Sequence, residues 1–179
     1  MSQEKVWIIT GASRGIGLEV ARRAIAAGER VALIARGESV LVAASELGGN
    51  AVGIQADVSN AVSVQAANDQ VLEKWGRIDF VVNNAGIHRG GKVGRLPLED
   101  WQAVINTNLT GALNVISAAR ASLQEGSSIV NVGAVVGFRG FPGDVAYGAS
   151  KAGLAGLTRA LAIELAGKGI CVNLVIPGL

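Results

Sequence analysis

The chain has 179 residues, of which 50% are hydrophobic and 17% charged, so we expect a single domain with a large apolar core. The net charge of +2 comes without a run of Lys or Arg, which gives no indication of a nucleic-acid or membrane-surface partner. The single cysteine, Cys171, excludes an intramolecular disulfide and, with no signal-peptide pattern or membrane-spanning apolar run, predicts a cytoplasmic protein.

Short apolar runs alternate with helical patterns along the chain. The predicted strands are residues 5–10, 30–35, 51–56, 78–82, 128–132 and 170–176. The predicted helices follow the glycines of 11–17 and cover residues 38–47, 60–75, 98–123 and 147–166. This alternation predicts right-handed βαβ crossovers and therefore an α/β fold, a doubly wound parallel sheet between two helical layers, as one domain over residues 1–179.

A glycine-rich turn follows the first predicted strand, which is the place where such sheets bind ligands. Gly11, Gly15 and Gly17 allow a tight turn and let the backbone approach a pyrophosphate, while the following helix offers free N–H groups. The spacing is Gly-x-x-x-Gly-x-Gly, which differs from the commonest dinucleotide pattern. The alternative is an ordinary strand-to-helix turn.

The second strand ends without the acidic residue that usually binds the ribose 2′-hydroxyl of NAD. Arg36 at this end and Arg14 in the glycine-rich turn are predicted to converge on a 2′-phosphate, so NADP(H) is favoured over NAD(H). Solvated arginines are the alternative. Asp57, after the third strand, is predicted to accept a hydrogen bond from adenine, or else to be a turn residue before the next helix.

Tyr147 and Lys151 are four residues apart at the start of a predicted helix and therefore share one face. A cation held there lowers the pKa of a phenol, which makes Tyr147 a candidate general acid/base. A surface Tyr and a surface Lys are the alternative, since the pair alone is a weak signal.

Five motifs in order resemble the short-chain dehydrogenase/reductase family, and in particular its members that reduce 3-oxoacyl-carrier-protein substrates. They are the glycine-rich turn, Asn-Asn-Ala-Gly from Asn83, Asn-Leu-Thr-Gly from Asn108, Tyr-Gly-Ala-Ser-Lys from Tyr147, and Pro177-Gly178. The resemblance covers essentially the whole chain and implies a Rossmann-type sheet and interconversion of a small-molecule carbonyl and its alcohol.

The resemblance also implies residue roles. Tyr147 matches the acid/base that protonates the carbonyl oxygen during hydride transfer, Lys151 matches its electrostatic partner, and Asn108 matches the Asn that kinks its helix and supports a proton relay. Asn83 matches a residue that steadies the sheet; either asparagine is alternatively a capping or core residue. The implied cofactor-binding residues are Gly11, Ser13, Arg14, Gly15, Ile16, Gly17, Arg36, Asp57, Val58, Asn84, Ala85, Gly86, Tyr147, Lys151, Pro177 and Gly178.

The family's catalytic serine has no counterpart in this chain. It lies thirteen residues before the tyrosine, a position that Ala134 occupies here, while Ser127 and Ser128 precede the strand and are expected at its opposite end. Loss of one such donor costs on the order of 10²–10³ in kcat. We therefore expect cofactor binding with weak or absent turnover.

The chain also stops shortly after Pro177-Gly178, whereas family members continue through further helices and a seventh strand. Residues 170–176 would then form an apolar sheet edge, although they have the pattern of a central strand. We favour a truncated form over an edge that another chain covers. Small residues after Tyr147 match a family dimer face, which implies a homodimer or homotetramer, or else serve close packing on the sheet.

His88, the only histidine, follows the Asn-Asn-Ala-Gly motif in a loop; a solvated loop residue is favoured over a substrate contact. No cluster of metal ligands is found in the sequence. The hypotheses are an NADP(H)-dependent oxidoreductase, a catalytically silent NADP(H)-binding protein (a pseudoenzyme, disabled variant or fragment) and, least favoured, a structural protein without a nucleotide.

Overall fold

The computed structural model describes residues 4–178, which form one parallel six-stranded sheet in the order β3-β2-β1-β4-β5-β6. The strands are β1 (Val6–Thr10), β2 (Arg30–Ala35), β3 (Ala51–Gln55), β4 (Phe80–Asn83), β5 (Ser128–Val132) and β6 (Cys171–Val175). Every neighbouring pair is parallel. The predicted doubly wound α/β sheet is confirmed.

Seven helices and one wider π-helical turn connect these strands. The helices are α1 (Gly15–Ala26), α2 (Ser39–Leu47), α3 (Ala61–Trp75), α4 (Leu98–Ile105), α5 (Gly111–Ala119), α6 (Val136–Arg139) and α7 (Val145–Ala166). The π-helical turn covers Asn106–Thr110, between α4 and α5. None of the described helices is both long and apolar enough to cross a bilayer.

One sequence prediction about the helices was wrong, and one short helix was missed. The single helix expected over residues 98–123 is interrupted by the π turn and ends at Ala119, where Ser122 donates its hydroxyl to the Ala119 carbonyl at 2.7 Å and closes a turn. The short helix α6 was not predicted, because four residues are too few to show a helical spacing.

Alternate residues of each strand face opposite sides of the sheet, which gives two cores. One core lies between the sheet and α3, α5 and α7, with Ile8 and Ile129 fully buried in it. The other lies between the sheet and α1 and α2, around Ile9 and Leu33. The sheet and the helices on its two faces are the three predicted α/β/α layers. The two cores between them hold the strands whose carboxyl ends carry the loops of the site.

β6 lies at the edge of the sheet among the described residues and pairs only with β5. Its burial alternates, with Val172 buried and Cys171, Asn173 and Val175 exposed. The expected exposed edge is therefore present. Among the described residues, β6 is an edge strand with one exposed face and not the buried central strand that its apolar pattern suggested. Truncation itself stays a prediction.

Candidate functional site

The carboxyl ends of β1, β2 and β4 enclose a cleft of about 660 Å³ beside the start of α1. Gly11 has φ +64°, and a Cβ atom there would lie 2.8 Å from the Cα of Ala85, so only glycine fits between these two loops. Gly15 opens α1 with φ +59° and leaves open space above the helix N-terminus. Unpaired N–H groups at such a terminus bind phosphate.

The predicted nucleotide residues converge in this cleft. Those that line it are Gly11, Ser13, Arg14, Gly15, Arg36, Val58, Asn84, Ala85 and Gly86. Ser39 and Thr107 line it as well and were missed; Ser39 is close behind the end of β2, a position that could have marked it. No acidic residue is among the described residues that line the cleft.

A small hydrogen-bond network around Thr10 holds the floor of the cleft. The Thr10 hydroxyl accepts from the backbone N–H groups of Asn84 (3.1 Å) and Ala85 (3.0 Å). The Asn84 amide in turn donates to the carbonyls of Thr10 (3.0 Å) and Gly11 (3.1 Å). Gly17 lies buried beneath, where a Cβ would be 2.6 Å from the Asn84 amide nitrogen, so Gly17 serves this packing and does not line the cleft.

Asp57 is held as a turn residue, the alternative reading of its sequence position. Its Oδ1 accepts from the backbone N–H of Ser59 at 2.9 Å and from the Ser59 hydroxyl at 2.7 Å. Asp57 is not among the residues that line the cleft, and Asn60 caps α3 instead. An Oδ2 atom 4.0 Å from Arg36 leaves that arginine loosely tethered near the cleft, with 59% of its side chain exposed.

A second pocket of about 270 Å³ adjoins the first and shares Asn84 and Gly86 with it. It contains three of the candidate catalytic residues, Ala134, Tyr147 and Lys151, together with some of the predicted cofactor residues. Its lining includes Ile16, His88, Ala134, Tyr147, Lys151 and Pro177. Gly178, the last described residue, lines neither pocket.

Tyr147 and Lys151 share the first turns of α7, as the spacing predicted, and the Lys151 Nζ lies 5.7 Å from the centroid of the Tyr147 ring. Lys151 is 4% exposed and donates to the Val132 carbonyl at 2.7 Å. Burial lowers its pKa to about 8.

The expected lowering of the Tyr147 pKa is wrong for this state of the chain. Burial raises the pKa of the phenol, and the negative charge of Asp144 raises it further. The ammonium of Lys151 does not overcome these effects, since it lies at the ring and is bonded to the Val132 carbonyl.

Asn108 lies inside the π turn, which gives a physical form to the predicted kink. Its side chain accepts from the Ile87 N–H at 2.8 Å and donates to the Ile87 carbonyl at 2.9 Å. It also donates to the Ser150 hydroxyl at 3.0 Å. Asn108 is 2% exposed and lines neither pocket, so its place here is to fasten the loop after β4 to α7.

Asn83 and the two serines at the amino end of β5 lie where the sequence predicted. Asn83 donates to Asn131 at 2.9 Å, which ties β4 to β5. Ser127 and Ser128 are at the amino end of β5, opposite the pocket, while Ala134 follows its carboxyl end and lines the pocket. The side chain at position 134 is a methyl group, so it offers no hydroxyl there.

His88 is more than a solvated loop residue. Its Nε2 lies 2.7 Å from Oδ1 of Asp144, and its ring packs edge-on against Tyr147 with centroids 5.1 Å apart. Asp144 was missed, because a sequence does not show which loop residue faces residue 88. Among residues 4–178 no group of three His, Cys, Asp or Glu side chains could hold a metal ion.

Comparison with known proteins agrees with this geometry. A sequence profile of the family described as short chain dehydrogenase matches residues 5–179. The 3-oxoacyl-[acyl-carrier-protein] reductase of Homo sapiens is 43% identical over 178 residues, 98% of this chain and 75% of the relative. The protein of the same name from Synechocystis sp. is 41% identical over 97% of this chain and 73% of its own length.

A solved structure, a blue fluorescent protein from a metagenomic library in complex with NADPH, superposes with a TM-score of 0.92 at 37% identity. The match covers 97% of this chain and 74% of that one. The chain thus spans about three quarters of the length of the proteins it matches. The chain belongs to the short-chain dehydrogenase family.

Proposed function

We propose that this chain is an NADP(H)-dependent oxidoreductase that interconverts a ketone and a secondary alcohol, with a rate reduced by the alanine at position 134. The observation that carries the proposal is the shared wall of the two pockets. Asn84 and Gly86 line both the glycine-rich cleft and the pocket that contains Tyr147 and Lys151. A dinucleotide bound along the cleft therefore has its reactive end beside a proton donor.

The residues present fit such a cofactor. Gly15 leaves open space at the N-terminus of α1, where a pyrophosphate binds, and Gly11 lets the turn before α1 pack closely against Ala85 of the loop after β4. A nicotinamide cofactor, when bound, supplies or accepts the hydride. Ile16 and Pro177 give the second pocket an apolar wall that limits access of water to the reacting atoms.

Tyr147 is suited to hold the proton that a ketone oxygen needs on reduction. Burial and the charge of Asp144 raise the pKa of its phenol, so the hydroxyl is protonated at neutral pH and acts as an acid. Lys151, fixed by the Val132 carbonyl beneath the ring, places a positive charge where negative charge develops on the phenolate.

NADP(H) is proposed over NAD(H) because of the charges at the adenosine end of the cleft. Arg14 and Arg36 line it, and no acidic residue is among its described lining. Guanidinium groups bind a 2′-phosphate through paired hydrogen bonds, whereas a carboxylate would favour the free 2′-hydroxyl.

A 3-oxoacyl thioester is the proposed substrate class. The human and cyanobacterial relatives carry the name of 3-oxoacyl-carrier-protein reductases at 43% and 41% identity. Phe138 and Phe141, which follow the pocket residue Ala134 in the chain, are 54% and 69% exposed, and such apolar side chains suit contact with an acyl chain.

The test is NADPH oxidation with 3-oxoacyl thioesters and simple ketones, before and after Ala134→Ser. A restored donor should raise kcat by about 100-fold, the usual cost of one lost donor. Ala121→Ser is the matched control, because Ala121 is exposed on a turn remote from the pocket. No turnover in either form, despite saturable NADPH binding, contradicts the proposal.

That negative outcome would support the second candidate, a catalytically silent NADP(H)-binding protein. The missing hydroxyl at Ala134 is the observation that favours it, since the change leaves the nucleotide cleft intact. Absence of saturable NADPH binding would contradict both candidates.

We also propose a homodimer or homotetramer built on α7. The outward face of this helix carries Ala152 and Gly156, which permit close approach of a second helix, and Ile163, which is 82% exposed. Light scattering of the chain and of Ile163→Glu tests this: a shift toward monomer is expected, and an unchanged mass contradicts the assignment of the face.

A further inference from the structure

The loop that carries His88, a residue of the second pocket, is fixed at two points by hydrogen bonds. Asn108 binds both backbone groups of Ile87, at 2.8 and 2.9 Å, immediately before His88. Further along the loop, the Gly91 N–H donates to the Gly143 carbonyl at 2.7 Å. His88 therefore lies in a short segment whose two ends are held by hydrogen bonds to other parts of the chain.

The ring of His88 is held as well. A carboxylate only accepts hydrogen bonds, so the 2.7 Å contact with Asp144 requires a proton on Nε2 of His88. The ring also packs edge-on against Tyr147. These two contacts hold the imidazole in the lining of the pocket. Its Nδ1 atom makes no hydrogen bond to any described residue.

The same pocket lacks a hydrogen-bond donor at position 134. Ala134 contributes a methyl group where a hydroxyl would polarise a substrate carbonyl, and Lys151 is already bonded to the Val132 carbonyl. Tyr147 is thus the one hydroxyl among the described residues that line the pocket. His88, with 55% of its side chain exposed and an unused ring nitrogen, is a second polar group that substrate can reach.

We propose that His88, oriented by Asp144, donates an Nδ1–H hydrogen bond to the carbonyl oxygen of the substrate and supplies the donor that Ala134 does not. This inference rests on the proposed function. His88 is then a catalytic residue and Asp144 a positioning residue. No covalent bond is made to the imidazole, and Tyr147 still provides the proton that the product alcohol retains.

Donation from Nδ1 while Nε2 binds Asp144 requires the imidazolium form. The charged or titratable groups that face the ring are Asp144, before α7, and Tyr147 on α7, with Lys151 in the same pocket. The adjacent Arg89 pairs with Asp100 of α4. Asp144 is the acidic side chain in contact with the ring.

A double-mutant cycle on kcat/KM for acetoacetyl-coenzyme A and NADPH tests this role. His88→Phe keeps a flat ring but removes the donor, and we expect a loss of about tenfold, less than for an enclosed oxyanion donor because His88 is half exposed. In the Ala134→Ser background the same change should cost less than about threefold, because the serine supplies the donor. Arg89→Gln, one residue along the loop, is the control expected to leave the rate unchanged.

Rescue by a conservative variant separates positioning by Asp144 from a purely structural role. Asp144→Asn keeps a side-chain oxygen that accepts the Nε2–H bond, whereas Asp144→Ala leaves the His88 ring without this partner. The loss of kcat/KM in Asp144→Ala should therefore be largely restored in Asp144→Asn and should be absent in a His88→Phe background. Equal losses in the two Asp144 variants, or an unchanged loss in the His88→Phe background, would contradict the assignment of Asp144.

Binding provides a readout without turnover. His88 is the only histidine of the chain, so its ring C–H signals in NMR spectra need no assignment. Acetoacetyl-coenzyme A, added to the chain with NADP⁺ and with binding measured by calorimetry, should shift these signals. Binding with unmoved signals, or equal losses from His88→Phe in both backgrounds, overturns this inference alone. No binding and no turnover in the wild type or in Ala134→Ser would overturn the proposed function and the inference with it.

Discussion

The two adjoining pockets differ in the residues that line them. The nucleotide cleft has glycines at the ends of β1 and β4 and the open N-terminus of α1 in its wall. The second pocket is lined by residues from five separate stretches of chain, represented by Ile16, His88, Ala134, Tyr147 and Pro177.

This difference indicates how each pocket should fail. A surface of backbone N–H groups is sensitive to added atoms, since a Cβ at Gly11 would lie 2.8 Å from the neighbouring loop. A pocket of functional side chains is sensitive to removed atoms, and the methyl group of Ala134 offers no hydrogen-bond donor to this pocket. Substitutions that add atoms in the first and remove them in the second should therefore have the largest effects.

Removal of the Tyr147 hydroxyl is expected to have the largest effect. Tyr147→Phe should lower kcat by about 10²–10⁴-fold, the usual contribution of a positioned acid, because the alkoxide loses its proton donor. NADPH oxidation in the Ala134→Ser background gives enough signal to measure the loss.

The Kd for NADPH is the matching control. It should stay within about twofold of the parent, because Tyr147 lines the second pocket and not the first. A comparable loss of NADPH affinity would contradict the separation of the two pockets.

An added methyl group at Gly11 should disable the nucleotide cleft. Gly11→Ala combines a left-handed backbone, which costs about 1–2 kcal/mol for a residue with a Cβ, with a clash against Ala85 of about 1–3 kcal/mol. Urea unfolding should show a loss of ~2–5 kcal/mol. The Kd for NADPH should rise at least ~10-fold if about 1.4 kcal/mol of this strain weakens NADPH binding.

Gly28 offers a matched control on the loop between α1 and β2. Its φ is +83°, and a Cβ there would meet nothing within 4 Å. Gly28→Ala should therefore show only the backbone cost of ~1–2 kcal/mol and an unchanged Kd for NADPH. If the two variants lose NADPH affinity equally, close approach at Gly11 is not what shapes the cleft.

Lys151 allows a test through pH, because burial lowers its pKa from 10.5 to about 8. Below pH 8 the folded chain carries the full cost of a buried charge, and stability rises between pH 8 and 10.5, where the unfolded chain binds more protons. Lys151→Met removes this cost of ~3 kcal/mol, less the lost bond to Val132 of ~1 kcal/mol, so it should stabilise the chain by ~2 kcal/mol at pH 7.

Urea unfolding of both proteins at several pH values measures this difference. The advantage of the variant should disappear by about pH 10.5, where lysine is neutral in both states. An advantage that does not change with pH would show that packing, and not the buried charge, is its source. Turnover should fall in the same variant, because the positive charge beside Tyr147 is lost.

The sequence predicts the residues of the nucleotide cleft better than those of the second pocket. The glycine spacing and Arg36 are local signals that follow buried strands, and the sheet order brings them together without any further information. The sequence does not decide the role of Asp57 even here, because its bonds to Ser59 depend on local geometry, and its contact with adenine stays a prediction.

The contact between His88 and Asp144 could not be predicted, because it joins two loops that are 56 residues apart in the chain. The raised pKa of Tyr147 has the same origin, since it depends on burial and on Asp144 and not on the four-residue spacing to Lys151. The π turn around Asn108 also carries no periodic signal, although the motif marks its position.

The smallest expected effect is on cofactor choice, at the end of the nucleotide cleft that Arg14 and Arg36 line. Arg36→Asp replaces the guanidinium at the proposed 2′-phosphate site by a carboxylate, and should weaken NADPH binding by about tenfold, in the range of one charge-assisted hydrogen bond at an exposed site. NADH affinity should be unchanged or improved. Arg22→Asp makes the same charge change on the exposed face of α1, outside the cleft, and should alter neither Kd. Because Arg36 is 59% exposed, the NADPH effect should shrink as salt is raised. Equal losses from both variants would reduce the preference for NADPH to overall charge, and no loss from Arg36→Asp would remove the 2′-phosphate from this site.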